Sequence, residues 1–149
     1  SKNEIKKNLK HLSKLGKEIL IEKMVHDTVA EMIIGIKIYD QFGPVIIVGA
    51  GGIYTELIND SATLLLPLKN SIILKAINNL KIIKLLKGYR GKPKGDIKAL
   101  VETIKKLAIF AEKNASRLIE VDINPLIVRT KGKGVIAGDA LIHYLEEIK

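Results

Sequence analysis

The stretch Glu120-Val121-Asp122-Ile123-Asn124-Pro125, answered further along by Asp139, decides how this 149-residue chain is read. From Arg117 to Asn124, apolar Ile119, Val121 and Ile123 alternate with Leu118, Glu120, Asp122 and Asn124. That is the period of a strand with one face on a core and three oxygen-bearing side chains on the other. A second apolar run, Val135 to Ile142, follows Thr130-Lys131-Gly132-Lys133-Gly134, a Gly/Lys-rich stretch that reads as a hairpin turn. With pairing centred near Lys131 and Gly132, Asn124 falls about opposite Asp139. Opposed side chains on one face lie roughly 5 Å apart at Cβ, so both reach one cation. Asn124, Asp139, Asp122 and Glu120 are therefore candidate metal ligands. Carboxylates with one amide suit Mg²⁺ or Mn²⁺, with phosphates and waters completing the octahedron. A merely exposed polar strand face gives the same pattern.

Upstream, Ile5, Leu9, Leu12 and Leu15 at helical spacing predict a helix over residues 2–15 that stops at Gly16. From Glu18 to Pro67 the chain reads as β: strands over Glu18–Val25, Val29–Tyr39, Val45–Val48, Ile53–Ile58 and Ala62–Leu66. Gln41-Phe42-Gly43-Pro44 is a turn, Gly49-Ala50-Gly51-Gly52 interrupts the run, and Asn59, Asp60 and Ser61 turn again. Ile73, Ile77, Leu80 and Ile83 form one stripe of a helix over Ser71–Lys87, closed by Gly88. A further helix starts at Asp96 as N-cap and carries Leu100, Val101, Ile104, Leu107, Ala108 and Ala111. The order of helix, strands, helices and acidic hairpin predicts a single α+β domain, helices flanking a largely antiparallel sheet.

Composition narrows the function. The length is that of one domain able to bury a substantial core. There is no cysteine, which excludes disulfides and thiolate metal sites and fits a reducing, cytoplasmic setting. No apolar run approaches a bilayer span, and the N-terminal lysines do not flank a signal-peptide core. Net charge is +9 and the pI about 9.6, yet the only arginines are Arg90, Arg117 and Arg129 and aromatics are 4%. Scattered lysines without a stacking platform argue against nucleic acid and for a solvated surface or attraction to polyanionic nucleotides. The abundance of lysine, isoleucine and glutamate resembles the compositional bias of hyperthermophile proteins.

An ordered series of motifs resembles one family, the ATP-grasp domain of NDP-forming acyl-CoA synthetases, the acetate-CoA ligase (ADP-forming) group and its relatives. The series is Glu31-Met32-Ile33-Ile34-Gly35, then Asp40 with Phe42-Gly43-Pro44, Gly49-x-Gly51-Gly52 with Glu56, Asp60 and Pro67. It continues through Leu86-x-Gly88-x-Arg90-Gly91-x-Pro93, Asp96, Glu120-x-Asp122-Ile123-Asn124-Pro125 and Asp139, covering about residues 17–143. The resemblance implies ATP/ADP and Mg²⁺ as cofactors and phosphoryl transfer to a histidine on a CoA-binding partner subunit or domain. That partner would then form an acyl phosphate and deliver the acyl group to CoA. The family's small N-terminal lobe has no counterpart here, so the chain is expected to be the C-terminal lobe of a longer, hetero-oligomeric enzyme, inactive alone. Alternatives are an ATP-grasp-like module of a lysine acetyltransferase, a succinyl-CoA ligase type subunit, or a non-catalytic basic binding module.

Residue by residue, the resemblance makes Asn124 and Asp139 metal ligands, Asp122 a bridging or outer acid and Glu120 a further candidate. Glu22-Lys23-Met24 matches a hinge that bonds adenine through backbone groups, unless it is a strand edge. Glu31 would accept ribose hydroxyls or simply face solvent. Gly49, Gly51 and Gly52 would let the backbone approach a phosphate or the phosphohistidine loop, or else mark a bulge. Glu56 would face the same cleft or lie on the surface. Arg90, in its Gly/Pro-framed loop, would contact phosphate or carboxylate, or pin that loop. His11, His26 and His143 do not match the transferred histidine.

Overall fold

A computed structural model describes residues 2–14, 16, 18–52 and 59–145. The chain runs α1 (Lys2–Leu12), β1 (Thr28–Tyr39), β2 (Gly43–Ala50), β3 (Ser61–Leu65), α2 (Asn70–Asn79) and α3 (Ile83–Leu86). It continues with α4 (Ile97–Asn114), β4 (Leu118–Arg129), β5 (Val135–Ala137) and β6 (Ala140–Tyr144). Among the described residues, six strands make one sheet in the order β3-β2-β1-β4-β5, with β6 also on β4. All five strand pairings are antiparallel, as expected for α+β. No helix among the described residues is long and apolar enough to cross a membrane.

The two faces of the sheet differ. Along β1, Ala30, Met32, Ile34 and Ile36 are buried while Glu31 and Lys37 are exposed, a period of two that turns alternate side chains into the core. The helices cover that inner face: Ile73 and Ile77 of α2, Leu86 of α3 and Leu100, Ile104 and Ala111 of α4 join Ile46, Val48, Val121 and Leu126 in one core. Each large side chain so buried contributes about 2 kcal/mol. The outer face, carrying Glu31, Ile33, Gly35 and Lys37 of β1, has no helix of the core cluster upon it.

Several boundaries differ from the sequence expectation for physical reasons. Residues 18–27 form no strand; they run as an irregular segment with Leu20 and Met24 exposed, although their composition is β-like. The first helix ends at Leu12, short of Gly16. The helix expected over Ser71–Lys87 is two helices. Leu80 is extended, with ψ 145°, and the buried Asp60 carboxylate accepts the Lys81 and Ile82 N–H groups at 2.7 and 2.8 Å, starting the chain afresh at α3. In β4, Leu118 is buried and Ile119 is 41% exposed, the reverse of simple alternation. The register shift between Leu118 and Glu120 is the cause, since one extra residue turns the following side chains over. The strand expected over Ile53–Ile58 lies outside the described residues.

Asp96 behaves as predicted and does more. Its carboxylate accepts Ala99 N–H at 3.1 Å as the N-cap of α4, and also Gly132 and Gly134 N–H at 2.9 and 3.0 Å, tying the hairpin tip to the helix. Burial alone would raise the Asp96 carboxyl, but these three N–H groups outweigh it and hold it below its ordinary value. At the same end Arg129 clamps Asp27 through Nε–Oδ1 at 2.8 Å and Nη2–Oδ2 at 2.9 Å, and these bonds hold the Asp27 carboxyl below its ordinary value.

Candidate functional site

The acidic hairpin pairs as its sequence suggests. Leu126, Ile127 and Val128 oppose Ala137, Ile136 and Val135, and Ile123, Asp122, Val121 and Glu120 oppose Ala140, Leu141, Ile142 and His143. One register thus runs through both β5 and β6, and between them Asn124 N–H donates to Asp139 O at 3.3 Å. Gly132 and Gly134, with φ of +82° and +81°, form the turn, where a side chain would be strained. Asn124 and Asp139 therefore face each other across two strands, both exposed.

On the outer face, residues opposed across neighbouring strands share a row. Asp122 lies between Leu141 and Gly35, and Gly35 faces Ile47. A Cβ at Gly35 would meet only Ile47, at 3.9 Å, so the strip beside Asp122 is open. Glu120 lies between His143 and Lys37. Its Oε1 is 2.9 Å from His143 Nδ1, so this carboxylate is engaged within the sheet. Sequence reasoning missed that pair, although the hairpin register already placed Glu120 opposite His143. Among the described residues no three carboxylate, imidazole or thiolate groups converge as a ready-made metal cage. Asn124 and Asp139 with Asp122 nearby fit a hard cation that takes few protein oxygens and completes its shell from a phosphate ligand and water.

Beside this strip lies a cleft of about 420 Å³ lined by Glu22, Lys23, Met24 and Val25, by Thr28 and Glu31 at the head of β1, and by Ile127, Ile136, Ala137 and Gly138 of the hairpin. The structure so brings together Glu22, Lys23, Met24 and Glu31, expected separately from the sequence. Ile127 and Ile136 supply an apolar wall the sequence did not single out. The irregular backbone of residues 21–25 has no strand ladder to occupy it. An apolar slot edged by backbone polar groups suits a flat heteroaromatic ring.

The glycines approach the protein's own chain. A Cβ at Gly51 would sit 2.9–3.0 Å from the Glu31 and Met32 backbone, where Gly51 N–H bonds Glu31 O at 2.8 Å; one at Gly49 would sit 2.9 Å from Asp60 O. Gly52, φ +71°, lies against the Glu31 carboxylate, where a Cβ would come within 2.8 Å of Oε2. Gly49 and Gly51 are thus explained by close strand packing, and Gly52 joins the cleft through Glu31. Arg90 does not line the cleft. It adopts φ 49° and stacks over Tyr89, 5.3 Å from the ring centroid, in the loop after α3. Glu56 lies outside the described residues.

The chain is similar to known proteins in sequence and in fold. The family model of the ATP-grasp domain matches residues 2–143. An ADP-forming acetate-CoA ligase of Methanocaldococcus jannaschii is 35% identical over 124 residues, 83% of this chain and 18% of that protein. The beta subunit of ADP-forming acetate-CoA ligase II of Pyrococcus furiosus is 34% identical over 112 residues, 75% of this chain and 48% of that subunit. A dinucleotide-forming acetyl-coenzyme A synthetase of Ca. Korarchaeum cryptofilum superposes with a TM-score of 0.83 at 30% identity, over 97% of this chain and 64% of that one. That structure is a complex with coenzyme A and Mg-AMPPCP, its phosphohistidine segment pointing towards the nucleotide binding site. The chain spans less than a fifth of the first relative's length and about half of the subunit's.

Proposed function

The chain belongs to the family of ATP-grasp domains, and from that premise we propose that it is the larger, C-terminal lobe of the nucleotide-binding part of an ADP-forming acyl-CoA synthetase. The overall reaction is ATP, a carboxylate and CoA going reversibly to ADP, phosphate and acyl-CoA. The observation that carries this reading is the hairpin register, which sets Asn124 opposite Asp139 beside the cleft of Glu22–Val25, Glu31, Ile127 and Ile136.

In this reading the backbone of Glu22 to Met24 bonds the adenine edge, Ile127 and Ile136, side by side on neighbouring strands, form a wall against one face of the ring, and Glu31 accepts from the ribose hydroxyls. Asn124 Oδ1 and the Asp139 carboxylate would hold Mg²⁺, which would supply charge neutralisation for the transferring phosphoryl group. Asp122, on the open strip beside Gly35, faces the γ-phosphoryl group and orients the histidine of a partner subunit or domain that receives it. Catalysis by these residues is positioning and electrostatics, with no covalent bond to this chain. Selectivity for the acid resides in the partner, and the phosphates need a further lobe to cover them. The relatives described above are acid-CoA ligases, and no observation favours an acetyltransferase-linked or basic binding module.

The test is ADP formation dependent on CoA and acid, by the complete synthetase carrying this lobe, beside Asn124→Ala. The expected result is a fall of about a hundredfold. Turnover unchanged by the substitution would remove Asn124 from the metal site. No turnover with any carboxylate would overturn the synthetase reading.

A further inference from the structure

A second recess, of about 550 Å³, opens on the other side of the hairpin tip, between that tip, the loop ahead of α4 and the first turn of α4. Four lysines line it: Lys87, Lys94, Lys98 and Lys131. They come from three segments stitched together by the backbone. Lys131 N–H donates to Lys94 O at 2.8 Å, Gly95 pairs with Thr130, and the Lys94 stem lies 3.2 Å from the place a Cβ would take on Gly88. The floor is apolar, made by buried Leu86 and half-buried Ile97. The one carboxylate in the lining, Asp96, is buried and already accepts three N–H groups, and of the four lysines the Lys98 charge acts on it. Glu102 meets only Lys98, at 4.0 Å and on an exposed surface, a pairing worth little.

Four lysines border an apolar floor, and the carboxylates that answer them are Asp96 in the lining and the exposed Glu102. We propose that this recess binds a ligand carrying a pyrophosphate group together with an apolar portion. Lysine is a compact point charge that serves phosphate well. The volume is that of a small-molecule site. No aromatic side chain lines the recess, so a nucleic-acid strand would find no stacking platform there. A pyrophosphate ester brings two or three negative charges to the lysines, and its organic part covers Leu86 and Ile97. This inference does not depend on the proposed function, because the recess and the nucleotide cleft share no lining residue.

Inorganic pyrophosphate, titrated into the chain with EDTA present and followed by backbone amide shifts and calorimetry, tests it. The expected shifts fall on residues 86–98 and 131–132, and Lys94→Glu with Lys131→Glu weakens binding by roughly tenfold or more. Lys105→Glu with Lys106→Glu changes the net charge equally on exposed positions further along α4 and leaves binding within about twofold, a control for general electrostatic attraction. All three proteins are melted to show that they fold. ADP and coenzyme A, tried in the same way, identify the source of the pyrophosphate group: the one that binds more tightly than pyrophosphate itself supplies the apolar portion. Equal weakening in both double variants, shifts confined to residues 22–31 and 122–139, or no binding at millimolar pyrophosphate would each overturn the proposal.

Discussion

Replacing Asp96 by alanine removes one carboxylate that serves two structures, the start of α4 and the turn that sets the hairpin register. The cap bond to Ala99 N–H, 3.1 Å long, is worth about 1 kcal/mol by analogy with other N-caps. The bonds from Gly132 and Gly134, 2.9 and 3.0 Å, involve a charged acceptor and would be worth about 1.5 kcal/mol each or more if their donors stayed dry. The turn is partly exposed, so water replaces the carboxylate in the variant, and about 1 kcal/mol each is the better figure. The expected loss is therefore about 3 kcal/mol, a large share of an ordinary domain's stability. In a chain of this size that lowers Tm by about 10 °C. Asp96→Asn keeps one acceptor oxygen without the charge and should fall between the two. Because the turn fixes which residue opposes which, Asp96→Ala should also loosen the Asn124–Asp139 pairing, seen as faster exchange of the Asn124 amide than of amides in β2. Thermal melts followed by circular dichroism supply the first number and hydrogen exchange the second. A Tm within about 2 °C of the parent's would refute the reasoning, showing that these bonds only replace equally good bonds to water.

Acid should act through the same residues. Asp27 and Asp96 both have carboxyls held below the ordinary 3.8, so the stability they confer is complete above that value and is lost as pH falls through their lower folded values. Urea melts should be flat from about pH 7 to 5 and decline below about pH 4, and Asp27→Asn should flatten that acid limb. An equally steep decline in the variant would assign it to other groups. Gly51→Ala puts a methyl 2.9–3.0 Å from the Glu31 and Met32 backbone, which should cost about 1–3 kcal/mol by parting β2 from β1, read as a lower midpoint in urea. An unchanged midpoint would mean that the Gly51 backbone moves freely. Since Glu120 is bonded to His143, Glu120→Gln in the complete synthetase should leave the Mg²⁺ concentration for half-maximal turnover within about threefold, whereas Asp139→Asn should raise it at least about tenfold. The reverse order would make Glu120 the ligand.

Much of this molecule was legible in its sequence because the patterns concerned are local. The period of two in β4, the stripe of Leu100, Ile104 and Ala111, the N-cap at Asp96 and the glycines of the 130–134 turn each depend on neighbours a few residues away. Even the facing of Asn124 and Asp139 followed, since a hairpin turn fixes register and register fixes opposition. The bulge at Leu118–Glu120 was not legible, because an extra residue in a ladder leaves no compositional mark. The break at Leu80 was not either: Ser71–Lys87 keeps its helical stripe throughout, and only a carboxylate from Asp60, across the turn into β3, captures the Lys81 and Ile82 N–H groups. The cleft depends still more on tertiary structure, joining residues 22–31 to 127–138 only once β1 has paired with β4. The sequence by itself determined the α+β class, the helix-starting aspartate and the acidic hairpin, all encoded within a turn or a strand. Tertiary structure alone decided the cleft and the break at Leu80, because each joins residues that the chain brings near only by folding.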